Sequence, residues 1–170
     1  KIHALWVLQG LSSLENSDVF SALDDQHPRV REQALLLSEK LPPAKDVRSR
    51  MITLLKDPDI KVRLQAIYSL AGADDATSAK ALGDIAIALG KDPYFRLALL
   101  CASPDRTEAL FSHLINDKSF RVSADGMAFL GTQAKNLSAS GLPRSRSVLV
   151  AAINTLNDAE KPLANTLIRE

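Results

Sequence analysis

Apolar residues recur along this chain every three or four positions, the spacing that gathers them on one side of an α-helix. In "AKDVRSRMITLLKD", residues 44–57, Val47, Met51, Leu54 and Leu55 share a face, while Lys45, Arg48 and Lys56 fall elsewhere. The same pattern predicts helices in "SDVFSALDD", "TSAKALGDIAIALG", "RTEALFSHLIND" and "RSRSVLVAAINTLND". Between them lies a second set, each opened by a basic residue with a small or apolar one three positions on. These are Lys1–Ala4 in "KIHALWVLQGL", Arg31–Ala34, Arg63–Ala66, Arg96–Leu99 and Arg121–Ala124. The anchors stand 30, 32, 33 and 25 residues apart, and a degenerate sixth follows at Lys161–Ala164.

Turn chemistry precedes the anchors. "HP" at 27–28, "DP" at 57–58, "DP" at 92–93 and "SP" at 103–104 place proline where its fixed φ and missing N–H suit a first helical turn. Asp57 and Asp92 are then expected as N-caps, and Asp117 as the cap of the helix holding Phe120 and Arg121. Gly72, Gly90 and Gly131 are expected to close helices in the left-handed conformation. The repeating unit is thus helix, tight turn, helix, at about 30 residues. Units are expected near 1–15, 17–41, 44–72, 75–102, 104–131 and 143–170, with roughly eleven helices in about five and a half pairs. One pair cannot bury its own apolar stripe, so neighbours must stack, which predicts an all-α fold of the α-solenoid kind.

The pattern D-P-x-x-x-V-R-x-x-A in "DPDIKVRLQAIYSLAG" and its contracted form in "HPRVREQALLLSEKL" resemble the second helix of HEAT repeats. The resemblance runs over essentially the whole chain and is strongest over residues 17–72. It implies a right-handed α-α superhelix read as one array, 1–170. The order "KIHALWVLQGL", "HPRVREQAL", "DPYFRLALLCASPDR" also resembles the HEAT segment of large bacterial secreted proteins. That segment joins a propeller-type sugar-dehydrogenase-like domain to a c-type haem domain. This narrower likeness implies a segment of a larger protein placed outside the cytoplasm. The haem-attachment C-x-x-C-H is absent here, so no cofactor and no catalysis follow for this stretch. The chain opens on an apolar pattern already under way and is expected to continue a longer protein.

Composition narrows the picture. The chain has 170 residues, 46% hydrophobic but only 5% aromatic, a leucine- and alanine-rich balance that suits helices. Twenty-one basic residues against twenty acidic leave a net charge of +1, which argues against a groove tracking a nucleic-acid backbone. The competing expectation is nonetheless a HEAT-like nucleic-acid-binding or lesion-recognising module resembling the alkylpurine DNA glycosylases. It needs a strongly basic concave face. A third, a HEAT-like lyase acting on a chromophore, needs an acidic or thiol-bearing concavity. No apolar run reaches the length of a membrane span. The single cysteine, Cys101, excludes an internal disulfide framework; set in "LALLCAS", it is expected to be a buried, inert thiol.

Candidate chemistry is sparse. His3, His27 and His113 have no partner at metal-ligand spacing, and no nucleophile or phosphate-loop motif occurs. Arg31, Arg63, Arg96 and Arg121 occupy equivalent positions, so stacking would align them. Their structural use is an inter-repeat ladder, each guanidinium reaching a carboxylate or turn carbonyl of an adjacent unit, with Asp25, Asp57, Asp92 and Asp117 as the nearby acids. Their functional use would be a positive stripe for phosphates or an acidic peptide. "GTQAKNLSASGLPRSRS", residues 131–147, breaks the period and predicts a loop of about ten residues, a length often given to function or linkage. Its Lys135, Arg144 and Arg146 are candidate contact residues, with a plain linker as the alternative. Trp6, Leu5, Leu8 and Val7 are expected in core or inter-repeat packing rather than on a ligand platform. The expected partner is another protein or a neighbouring domain of the same chain, with no small-molecule cofactor.

Overall fold

A computed structural model describes residues 1–71, 75–89, 92–101 and 104–169. Among the described residues the protein is all-helical, with twelve α-helices, one 3-10 turn and no strand. The chain divides into two compact units, Lys1–Ala73 and Asp74–Glu170.

The first unit holds α1 (Ile2–Gly10), α2 (Asn16–Leu23), α3 (Pro28–Ser38), α4 (Lys45–Leu54) and α5 (Ile60–Ala71). Helices α1, α3 and α5 lie side by side, α2 lies beside α4, and α2 and α4 pack on α3 and α5 respectively. Leu23, Leu35, Leu37, Ile67 and Leu70 are fully enclosed between these rows. Each such leucine or isoleucine contributes roughly 1.5–3 kcal/mol of transfer free energy relative to exposure. Helix α1 is the exception, because it is apolar on every side yet buries only Leu5. Trp6 is 38% exposed rather than in the core, its indole nitrogen donating to Gln33 Oε1 at 2.8 Å.

Local chemistry starts these helices largely where the sequence indicates. His27 caps α3 through Nδ1, which accepts from Arg29 N–H, and Pro28 takes the first helical position. The start of α5 differs from expectation. Asp59, not Asp57, accepts from the amides of Lys61 and Val62, so the helix opens two residues past Pro58. Asp57 accepts instead from Asp59 N–H and from a guanidinium of α3.

The second unit holds α6 (Ala76–Leu89), α7 (Pro93–Leu100), α8 (Pro104–Asn116), α9 (Lys118–Arg121), α10 (Ala124–Ala139), α11 (Pro143–Thr155), the 3-10 turn Asp158–Glu160 and α12 (Lys161–Arg169). Asp92 caps α7 by accepting from Tyr94 and Phe95 amides, and Asp117 caps α9 by accepting from Phe120 N–H. Around Phe111, Phe129, Leu110, Leu114, Leu130 and Leu137 the unit builds its own core. Gly72, Gly90 and Ser103, expected at helix ends, lie outside the described residues.

Two expectations in this unit are corrected. The helix carrying Arg121 ends at that residue, and Ser123 starts a new one by accepting from Gly126 N–H while donating to Phe120 O. This corner requires glycine at 126, since a Cβ there would sit 1.8 Å from the Phe120 carbonyl oxygen. In an ordinary helix, alanine is about 1 kcal/mol better than glycine. Gly126→Ala is therefore expected to reverse that sign, which urea unfolding would register as a lowered midpoint at unchanged slope. The predicted loop over 131–147 is also mostly helix. Gly131 sits within α10, which runs to Ala139, because Ala134 and Leu137 carry the buried stripe through the Gly-, Ser- and Asn-rich sequence. The chain turns only at Ser140–Leu142, with Gly141 at φ 68°, before Pro143 opens α11.

Candidate functional site

Three of the recurring basic residues, Arg31, Arg63 and Arg121, share one geometry, set by their place in the first turn of a helix. Arg31 Nη1 donates to the Asp25 carbonyl at 2.8 Å, and Arg63 Nη1 to the Asp57 carbonyl at 2.7 Å. Arg121 Nη1 does the same to Ile115 at 3.0 Å. In each case the acceptor lies six residues earlier, so one nitrogen closes the turn that leads into the arginine's own helix.

The remaining guanidinium edge reaches further along the chain. Arg31 Nε and Nη2 each lie 2.8 Å from an Asp57 oxygen, a two-bond pair between two largely buried side chains. Such forked pairs fix orientation as well as distance. Arg121 Nε donates to Glu160 Oε1 at 2.6 Å, and Arg96 Nη2 to Asp125 Oδ1 at 3.1 Å. Lys1 Nζ reaches Asp25 Oδ2 at 2.5 Å, in the register of the arginines. Of the acids expected nearby, Asp57 and Asp25 take these contacts, while Asp92 and Asp117 cap helices. Glu160 and Asp125 were not distinguishable in the sequence, because both are paired over separations of 39 and 29 residues.

These contacts shift the titrations. The Asp57 hydrogen bond holds the Arg31 guanidinium protonated beyond its ordinary range. Arg121, with help from the Asn157 amide, pulls Glu160 below the ordinary carboxylate range; Lys1 does the same to Asp25 and Lys80 to Asp84. Carboxylates lowered in the native state bind fewer protons there than in the unfolded chain. Their contribution is complete above the unfolded value and is lost as the pH falls below about 5. Glu160→Gln is expected to lower Tm at pH 7 and to flatten the fall in Tm on acidification. An acid limb identical to that of the parent chain would exclude Glu160 as a contributor.

The other candidates are dispersed. Lys135 is exposed on α10, and Arg146 is exposed on α11. Arg144, in the first turn of α11, pairs through Nε with Glu108 Oε2 of α8 at 3.2 Å. Glu108 also accepts from the buried Ser145 hydroxyl at 2.6 Å, tying α11 to α8. These three residues thus stand on two helices and form no basic loop. Arg29 pairs with Glu32 one turn along α3.

Cys101 is exposed at the C-terminal cap of α7, contrary to the buried thiol expected, because the turn after Leu100 carries it out of the stripe that buries Ala98 and Leu99. His113 lies on Gly83, whose missing side chain leaves room for the ring, and meets Asp84 Oδ1 at 3.1 Å. Among the described residues no three metal-ligating side chains cluster, and no helix is long and apolar enough to cross a membrane.

One feature missed in the sequence joins α3 to α5. The buried Ser69 hydroxyl donates to Glu39 Oε1 at 2.6 Å, and Gln65 Nε2 donates to the same oxygen at 3.3 Å. Glu39 stands beside a cleft of about 320 Å³ whose wall includes Pro42, Pro43, Met51 and Tyr68. Comparison with known protein families, with curated proteins and with solved structures finds no match to this chain.

Proposed function

We propose that the chain is a non-catalytic scaffold or spacer that mediates protein–protein or inter-domain contact. In this reading it is a HEAT-type α-solenoid, a right-handed superhelix of about five and a half helix pairs. The observation that carries the reading is the repeated turn closure by Arg31, Arg63 and Arg121, each onto the carbonyl six residues earlier. A device reused at one place in several helix pairs is what a repeat array requires to hold its register. Contact with a partner is then spread over many shallow side-chain positions. The narrower likeness in sequence extends the proposal: the array would space an oxidoreductase domain from a haem domain outside the cytoplasm.

Shape and role are tested separately. Small-angle scattering from the purified chain is expected to give a skewed pair-distance distribution with a long tail, and a symmetric one would overturn the stack. Cross-linking and mass spectrometry on the full gene product is expected to join Lys61, Lys118 or Lys135, all exposed, to a neighbouring domain or partner protein. Cross-links confined to residues 1–170 would overturn the spacer role.

A further inference from the structure

The cleft beside Glu39 combines features that the turn-closing arginines do not use. Glu39 stands at the C-terminal cap of α3, where unpaired carbonyls concentrate negative potential. Its Oε1 is held by Ser69 and Gln65 of α5, while among the described residues Oε2 accepts no hydrogen bond. Ser69 is only 4% exposed and also lies 3.3 Å from the Leu35 carbonyl, so the carboxylate is anchored from a rigid, buried point. The carboxylate is therefore positioned before any ligand arrives.

Tyr68 contributes a ring that is 43% exposed, and its hydroxyl makes no hydrogen bond among the described residues. Met51 and the Pro42–Pro43 pair supply apolar wall on the same cleft. An anionic oxygen, an aromatic face and a short apolar wall together suit a side chain with an aliphatic stem and a cationic head. Arg48 also lines the cleft, but it is engaged in an interaction of its own. The exposed Lys40 and Lys45 do not line it. An anion entering here would face Glu39 directly.

The geometry points to this cleft as a receptor for a cationic side chain, arginine or lysine, presented by a partner polypeptide. The inference rests on the reading of the chain as an interaction module and names the chemistry of one contact.

Blocked tripeptides test it: acetyl-Gly-Arg-Gly-amide, its lysine and citrulline counterparts and a glutamate control, each titrated into the 15N-labelled chain. Saturable shifts of the Gln65, Tyr68 and Ser69 amides are expected for the arginine or lysine peptide, with Kd on the order of millimolar. The tighter of the two identifies the head group. Glu39→Gln, which keeps an acceptor for Ser69, is expected to weaken binding about tenfold at unchanged Tm. Tyr68→Leu is expected to weaken it severalfold. The proposal is overturned if neither cationic peptide saturates, if citrulline binds as tightly, or if Glu39→Gln binds like the parent chain. Binding of the glutamate peptide that Arg48→Gln abolishes would overturn it too, by assigning the cleft to anions. A symmetric scattering profile with intact peptide binding would remove the stack and leave the cleft standing.

Discussion

Asp57→Ala is expected to lower stability by about 3 kcal/mol, a fall in Tm of roughly 10 °C. The substitution removes both acceptors of the Arg31 fork and leaves a guanidinium enclosed among α3 and the turn before α5. It also frees the amide of Asp59, which Asp57 Oδ1 accepts in the native state. Breaking a largely buried pair from one side costs more than the pair itself contributes, because the orphaned charge cannot recover its water. A double-mutant cycle with Arg31→Met separates these effects. The double variant is expected to be more stable than Asp57→Ala alone, since it carries no unpaired charge. If Asp57→Ala unfolds within about 2 °C of the parent chain, the pair does not hold the turn.

Phe129→Ala is expected to cost a further-ranging 3–5 kcal/mol, about the scale of large-to-small changes in a closed core. Phe129 is 2% exposed on α10 and meets Phe120 of α9 edge to face, with ring centroids 6.2 Å apart. Phe120 in turn supplies the carbonyl that Gly126 and Ser123 pack against, so the cavity would open beside the corner that joins the two helices. Urea unfolding measures the loss directly, and Phe129→Leu is expected to recover about half of it by refilling part of the space. A loss below about 1 kcal/mol would mean that the neighbours collapse into the gap.

How much of this was legible follows from the range over which each signal acts. Asp92 with Pro93 is a local signal, and the cap it predicts is made within three residues. Asp57 was the cap expected in "DPD" at 57–59, but Arg31, 26 residues away, takes its carboxylate, and Asp59 caps the helix in its place. The start of α5 was therefore not decidable locally. Residues 131–147 read as a loop because glycine, serine and asparagine are poor helix formers, yet packing on Ala134 and Leu137 overrides propensity. Cys101 was misplaced by a single position, where the chain leaves its helix. The partnerships of Ser69 with Glu39 and of Ser145 with Glu108 cross 30 and 37 residues between unremarkable polar side chains, and no periodicity marks them.

Asp57 has a consequence for how the first unit comes apart. A single carboxylate receives the guanidinium of α3 and the amide that leads into α5, while its backbone carbonyl receives Arg63 of α5 itself. Fraying of α3 at its N-terminal turn would withdraw a donor from Asp57, and fraying of the turn into α5 would withdraw the acceptor from Arg31. The two ends are thus tied through one residue and are expected to open together, where local propensity alone would leave them to melt piecemeal.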